Sequence, residues 1–208
     1  MSSPTVEDYV KHILLAQHRR PGDPVGMGQI ASMLGVTPGT VTTMVKGMAA
    51  RGLLSYEPYT GVELTEEGRG VAIRVLRRHR VLELFLVEVL ELDWADVHEE
   101  AEQLEHAASD GLVERMAEML GHPERDPHGD PIPSPDGELP PPAATTLATC
   151  ALDEPMHVVR VLDQDPAFLR RSAERGLVPG VSVRVVDRDE VAGEVRVIRG
   201  RGESVTLS

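Results

Sequence analysis

The stretch Met27-Gly28-Gln29-Ile30-Ala31-Ser32-Met33-Leu34-Gly35-Val36-Thr37-Pro38-Gly39-Thr40-Val41-Thr42-Thr43-Met44-Val45 decides the reading of the N-terminal third. Ile30, Leu34, Val36, Val41 and Met44 are spaced to pack two helices at a steep angle, with a tight turn at Gly35. Thr37 is a natural N-cap for the second helix, and Pro38 suits its first turn, where the missing N–H costs nothing. This is a helix-turn-helix pattern. On its N-terminal side, Val6, Val10, Ile13, Leu14 and Gln17 share one face of a helix predicted from Thr5 to about Arg19, ended by Pro21-Gly22-Asp23-Pro24. On its C-terminal side, Leu53-Leu54-Ser55-Tyr56 and Val62-Glu63-Leu64-Thr65 flank Pro58-Tyr59-Thr60-Gly61 and predict a β-hairpin, a wing.

From Glu66 to about Leu90, the placing of Val71, Val75, Leu76, Val81, Leu82, Phe85 and Leu86 predicts a long helix with enough apolar surface to dimerise. Asp93 and Asp96 open a further helix from Trp94 to about Ala108, and Asp110 opens another through Met119. Residues 121–142 hold eight prolines in 22 positions, which predicts a linker or an extended recognition segment and sets a domain boundary. Beyond it, runs at 157–162, 181–186, 194–198 and 204–207 read as strands of a small barrel, interrupted by a helix from Pro166 to about Arg175. The fold class is therefore mainly α with β. A winged helix-turn-helix is expected over 1–72, a helical domain over 73–142 with its Pro-rich linker at 121–142, and a small β-barrel over 143–208.

Composition narrows the function. With 208 residues, 41% hydrophobic and 26% charged, the chain has the balance of a folded protein of at least two cores. No apolar run approaches the roughly 18 residues of a membrane span, and the N-terminus lacks a basic segment followed by an apolar stretch, so a soluble, cytoplasmic protein with no membrane partner is expected. A single cysteine, Cys150, excludes an internal disulfide framework and a multi-thiolate zinc site within one chain, and is assigned no role. Two Phe, three Tyr and one Trp are too few for the stacking surfaces that bind single-stranded nucleic acid.

The net charge of −13 is unevenly spread: residues 1–80 carry a balance of +3 and residues 81–142 one of −15. The mildly basic third suits duplex DNA, with Thr37, Pro38, Thr40, Thr42, Thr43 and Lys46 as candidate contacts in the major groove. Hydroxyls and one lysine offer no bidentate arginine contact to guanine, so part of the specificity is expected to rest on DNA shape.

In the acidic segment, His98, Glu102, Glu105 and His106 fall on one predicted helical stripe, and His79 and Glu83 repeat the i, i+4 spacing on the preceding helix. Imidazole with carboxylate suits manganese, iron(II), cobalt or zinc. The bland alternative is a solvated acidic face. A metal-dependent hydrolase would use the same ligands, yet the sequence shows no nucleophile–base pair, no Gly-rich phosphate loop and no His-Glu-x-x-His motif. A winged-helix regulator of a small organic ligand is the remaining rival. Asp8 also has two readings, since Thr5-x-x-Asp8 fits a capping box.

Taken in order, the helix, helix-turn-helix, wing, Arg77-Arg78-His79-Arg80, the run 97–106 and Asp126-Pro127-His128-Gly129-Asp130-Pro131-Ile132-Pro133 resemble the diphtheria-toxin-repressor family of metal-dependent transcriptional regulators. Leu177-Val178-Pro179-Gly180-Val181-Ser182-Val183 resembles the SH3-like, FeoA-like domain of its longer members. The resemblance implies a non-enzymatic homodimer that represses metal-uptake genes by binding operator DNA. It implies a primary metal site at Asp8, Glu102, Glu105 and His106 and a second at His79, Glu83 and His98, with Asp165 or Gln164 as a further ligand. The iron-responsive branch of the family typically has sulfur ligands at the positions of Asp8 and Glu102. Carboxylates there resemble the manganese branch, so Mn2+ is the expected cofactor, with Fe2+ as the alternative and Co2+ or Zn2+ able to bind in vitro. Lys11 stands where shorter manganese regulators have a glutamate of a two-metal cluster, and this implies two separated sites. His128 is read as ordering its turn. The Pro-rich segment could also dock on the chain's own SH3-like domain.

Overall fold

The computed structural model describes residues 3–141, 145–200 and 202–207, so the boundary expected between 142 and 143 lies outside the described residues. The chain divides into two compact units, the first comprising Met1–Leu82, Glu102–Glu124 and Ile132–Pro142, the second Glu83–Ala101, Arg125–Pro131 and Ala143–Ser208.

In the first unit, α1 (Pro4–Arg19) begins one residue earlier than the sequence predicts, with Ser3 as N-cap and Pro4 in the first turn. Thr5 therefore lies inside the helix, and the capping box with Asp8 does not form. The helix-turn-helix is α2 (Met27–Leu34) and α3 (Pro38–Ala50). Gly35 takes the left-handed conformation between them, at φ 64°, which favours glycine. Thr37 Oγ1 accepts the Thr40 N–H at 3.2 Å. Val10, Ile13, Leu14, Ile30, Val41 and Val45 are all wholly buried in the core that fixes the α3 angle.

The wing is an antiparallel pair, β1 (Leu54–Glu57) and β2 (Gly61–Leu64), anchored because Val25 and Val62 exchange both backbone hydrogen bonds, at 2.9 and 3.0 Å. α4 (Glu66–Glu88) starts where Thr65 Oγ1 accepts the Gly68 N–H at 3.1 Å. Gly68 admits no side chain, because a Cβ there would lie 1.8 Å from the Leu53 carbonyl oxygen.

The helix expected from Trp94 to Ala108 is shorter: α5 spans Val97–Leu104. Asp93 accounts for the late start, since its carboxylate accepts the Ala95 N–H at 2.8 Å and its carbonyl accepts the Asp96 N–H at 2.9 Å, closing a turn. After Leu104, whose carbonyl accepts the N–H groups of Ala107 and Ala108, the chain turns before α6 (Asp110–Met119), capped by Ser109. Glu105 and His106 therefore sit on a turn rather than on a helical stripe.

Within the proline-rich stretch, residues 126–133 are packed, while most described residues on either side are exposed. In the second unit, Asp126 Oδ1 accepts the N–H groups of His128 and Asp130, both at 2.9 Å, and shapes a tight turn whose Gly129 has φ 88°. A Cβ on Gly129 would come within 2.1 Å of the Val159 carbonyl oxygen. The Val161 N–H donates to the His128 carbonyl at 2.9 Å, Arg160 pairs with Asp130 at 3.0 Å, and Gln164 Nε2 donates to the same carboxylate at 3.0 Å. These contacts draw 158–162 out of the strand the sequence predicts, leaving β3 as Met156–His157. β4 (Ser182–Asp189), β5 (Glu194–Arg199) and β6 (Glu203–Leu207) follow, with α7 (Pro166–Glu174) between β3 and β4. The four strands form an antiparallel sheet in the order β3-β4-β5-β6, with no pairing among the described residues that closes it into the expected barrel. Val183, Val185 and Val197 make its core with Leu177 and the buried Cys150. Among the described residues, no helix is long and apolar enough to cross a membrane.

Candidate metal centres

The first centre lies in the first unit. α1 presents Glu7, Asp8 and Lys11 on neighbouring positions of one face, and the turn after α5 presents Glu105 and His106. His106 Nδ1 lies 2.8 Å from Glu7 Oε2, a carboxylate oxygen that can only accept, so this contact takes an Nδ1 proton and turns Nε2 to the other side of the ring. That atom is 2.9 Å from Asp8 Oδ1 and 3.5 Å from Glu105 Oε1. Asp8 Oδ1 is buried and, despite this closeness, has no aligned hydrogen bond among the described residues. An unsatisfied carboxylate oxygen beside an imidazole nitrogen and a second carboxylate is a donor set that fits a cation.

Glu105 is wholly buried. One of its oxygens meets Lys11 Nζ at 2.6 Å and the other meets His79 Nδ1 at 2.7 Å. Glu102 Oε1 lies 2.6 Å from the same Lys11 Nζ and 3.7 Å from His79 Nδ1. Asp8, Glu105 and His106 form one group whose ligand atoms lie within 4.8 Å of one another, and His79, Glu102 and Glu105 form another. His79, which the resemblance assigns to the second site, also has Glu105 and Glu102 of the first as neighbours. A cleft of about 630 Å³ reaches this centre, lined by Glu7 and His106 together with Arg51, Arg74 and Arg78. Burial pushes the neighbouring Tyr9 phenol above its ordinary range.

The second centre lies in the second unit. Glu83, only 1% exposed, has His98 Nδ1 at 3.1 Å from one oxygen and His128 Nδ1 at 3.8 Å from the other. Glu83, Asp126 and His128 bring ligand atoms within 4.8 Å of one another, and all three are buried. His128 Nε2 donates to the Trp94 carbonyl at 2.8 Å, and the ring stacks on Trp94 with centroids 5.6 Å apart. This fixes the tautomer and leaves Nδ1 as a buried lone pair with no hydrogen-bond partner among the described residues. The set of oxygens and imidazole nitrogens fits a divalent cation. The sequence reading groups Glu83 and His98 with His79, whereas Asp126 and His128 carry no ligand signal beyond their place in a Pro/Gly-rich turn. Asp165 is exposed and serves as the α7 N-cap, accepting the N–H groups of Ala167 and Phe168. Gln164 is bonded to Asp130. On the same unit's surface, the hydrogen bond from Arg170 to Asp96 raises the guanidinium's already high pKa further.

The expected DNA-reading residues stand at the start and along one face of α3. Thr37, Pro38, Thr40, Thr43 and Lys46 are exposed, whereas Thr42 is half-buried. The hydroxyls of Thr42 and Thr43 donate back to the carbonyls of Pro38 and Gly39, so their methyl groups are set by the helix. Tyr59, at the wing tip with φ 69° and fully exposed, is a candidate contact that sequence pattern does not single out.

Residues 1–62 match the iron dependent repressor N-terminal DNA binding domain, residues 65–134 the iron dependent repressor metal binding and dimerisation domain, and residues 145–208 the FeoA domain. The iron-dependent repressor IdeR of Mycobacterium tuberculosis is 35% identical over 191 residues, covering 86% of this chain and 82% of that one. The chain belongs to the iron-dependent repressor family, the family of the diphtheria toxin repressor. As a member it is a metal-dependent transcriptional repressor and not an enzyme, which removes the hydrolase reading. The diphtheria toxin repressor of Corynebacterium efficiens is 40% identical over 163 residues, 78% of this chain and 62% of that one. A solved manganese-dependent transcriptional repressor in complex with manganese superposes with TM-score 0.88 at 41% identity, covering 97% of this chain and 94% of that chain. ScaR with bound Cd2+ superposes with TM-score 0.80 at 30% identity, over 98% and 93%. Iron- and manganese-named relatives thus flank this family member on both sides.

Proposed function

We propose that this repressor responds to manganese and controls divalent-metal uptake genes as a cytoplasmic homodimer. Asp8, Glu102, Glu105 and His106 hold the first ion. Glu83, His98, Asp126 and His128 hold the second. The observation that carries the choice of metal is the donor chemistry: Asp8 and Glu102 bring hard oxygens to the first centre, without the sulfurs that favour iron(II), nickel and cobalt.

When bound, the ion supplies the positive charge that several buried carboxylates share. Asp8 belongs to α1, whose other face packs in the same core as α2 and α3, so a fixed α1 fixes the recognition helix. Glu102, Glu105 and His106 come from the segment next to the dimerisation helix α4. In a two-fold dimer this sets two copies of α3 for major-groove faces about one helical turn, or a multiple of it, apart. Coupling requires only that the DNA-competent arrangement bind metal better than the others. Thr37, Pro38, Thr40, Thr42, Thr43 and Lys46 then meet the duplex, through phosphate contacts and thymine methyl groups.

Equilibrium competition for the metal-free protein between Mn2+ and anaerobic Fe2+, read as DNA affinity on a palindromic promoter fragment, tests the reading. Manganese should switch binding on at micromolar levels while iron needs far more. A switch driven equally by iron overturns the choice of metal, and DNA binding indifferent to every metal overturns the sensing reading in favour of a small organic ligand.

A further inference from the structure

Lys11 is 2% exposed, and its ammonium lies 2.6 Å from Glu102 Oε1 and 2.6 Å from Glu105 Oε1. Both oxygens belong to proposed metal ligands. The donors around it are more than one ion uses: Asp8, Glu105 and His106 form one group, and His79, Glu102 and Glu105 form another that shares Glu105. The ammonium sits on the two carboxylates of the second group, while Asp8 Oδ1 of the first group, 2.9 Å from His106 Nε2, has no aligned hydrogen bond among the described residues. We infer that Lys11 is the resident counter-cation of the first centre, occupying the place a second divalent ion would take and opposing the ion that enters beside it. The inference rests on the proposed metal-sensing function and deepens it.

Three physical consequences follow from that placement. A buried carboxylate needs a compensating charge, and a lysine tethered to α1 provides one before any metal arrives, so the metal-free fold keeps Glu102 and Glu105 in place. The centre takes one divalent ion, because the ammonium contributes charge but no lone pair. The affinity for that ion is held down, since Glu105 Oε1 must be shared with or released by Lys11 and the ion meets a like charge close by. The repressor is therefore set to respond at higher free metal than an uncharged residue at this position would allow.

The test uses the full chain with His98→Ala in every arm, so that ions in the second centre are not counted. Mn2+ alone is the probe, with isothermal titration for affinity and low-temperature electron paramagnetic resonance for the number of coupled ions. With Lys11 present, one ion with a single-ion spectrum is expected. Lys11→Met keeps the apolar stem and should tighten manganese at least tenfold, about 1.4 kcal/mol, while lowering the melting temperature of the metal-free form. Lys11→Glu adds a ligand and should admit a second ion, seen as an exchange-coupled pair. A coupled pair already present with Lys11 in place overturns the inference, and this arm needs no Lys11 variant to fold. Unchanged or weaker manganese affinity in folded Lys11→Met overturns it too, while leaving the sensing function intact. No manganese bound in any arm overturns both.

Discussion

His106 Nδ1 donates to Glu7 Oε2 at 2.8 Å, and this single contact turns the other ring nitrogen toward Asp8. Glu7 also lies 3.4 Å from Arg78 Nη2, so the carboxylate that orients the imidazole is itself positioned by α4. A residue outside the ligand set thus sets the geometry of a ligand.

Glu7→Gln should weaken manganese binding at the first centre by 10- to 100-fold, the usual effect of losing a carboxylate that orients a metal-bound histidine. Isothermal titration on a folded variant measures it. Unchanged affinity would show that His106 keeps its orientation without Glu7.

Asp8→Met replaces a hard oxygen by a soft sulfur, so the preference should move toward iron(II) and cobalt. Metal competition read by operator affinity checks it. Unaltered selectivity would remove Asp8 from the ligand set.

His128→Phe keeps a ring stacked on Trp94 but removes the buried Nδ1 and the donor to the Trp94 carbonyl. One fewer ion per chain is expected, together with a loss of about 1–3 kcal/mol from the orphaned carbonyl. Metal counting after dialysis and denaturant unfolding give the two readouts. A full complement of ions would place the second ion elsewhere.

Gly68→Ala forces a methyl into the Leu53 carbonyl oxygen and should cost roughly 1–3 kcal/mol or more, through displacement of the wing from α4. Thermal unfolding measures the loss. Lys46→Ala should weaken operator binding uniformly across sequences and reduce the salt dependence by about one counterion per recognition helix.

Much of the DNA-reading half was legible because its signals are local. Gly35, Thr37 and Pro38 are punctuation whose backbone meaning does not depend on the rest of the chain, and Ile30, Leu34 and Val41 carry the packing pattern. The metal ligands were legible in part. Period 3.6 gathers His98, Glu102, Glu105 and His106 onto one stripe, but Asp93 delays the helix and the chain turns after Leu104, so Glu105 and His106 reach α1 from a turn. Glu7 and the Lys11 contacts join residues more than 90 positions apart, which no spacing rule reports. His128 was hidden for another reason: in a Pro/Gly-rich stretch its backbone role in the turn is apparent, while the burial of its ring is a tertiary fact.

The most direct measurement of the central claim is operator affinity of the metal-free protein across a manganese titration, with the wild type beside a His106→Ala variant. The wild type should bind the operator tightly only once manganese is present, and His106→Ala should stay weak at the same manganese level while remaining folded. Tight binding without metal, or an unimpaired manganese response in His106→Ala, would contradict the account.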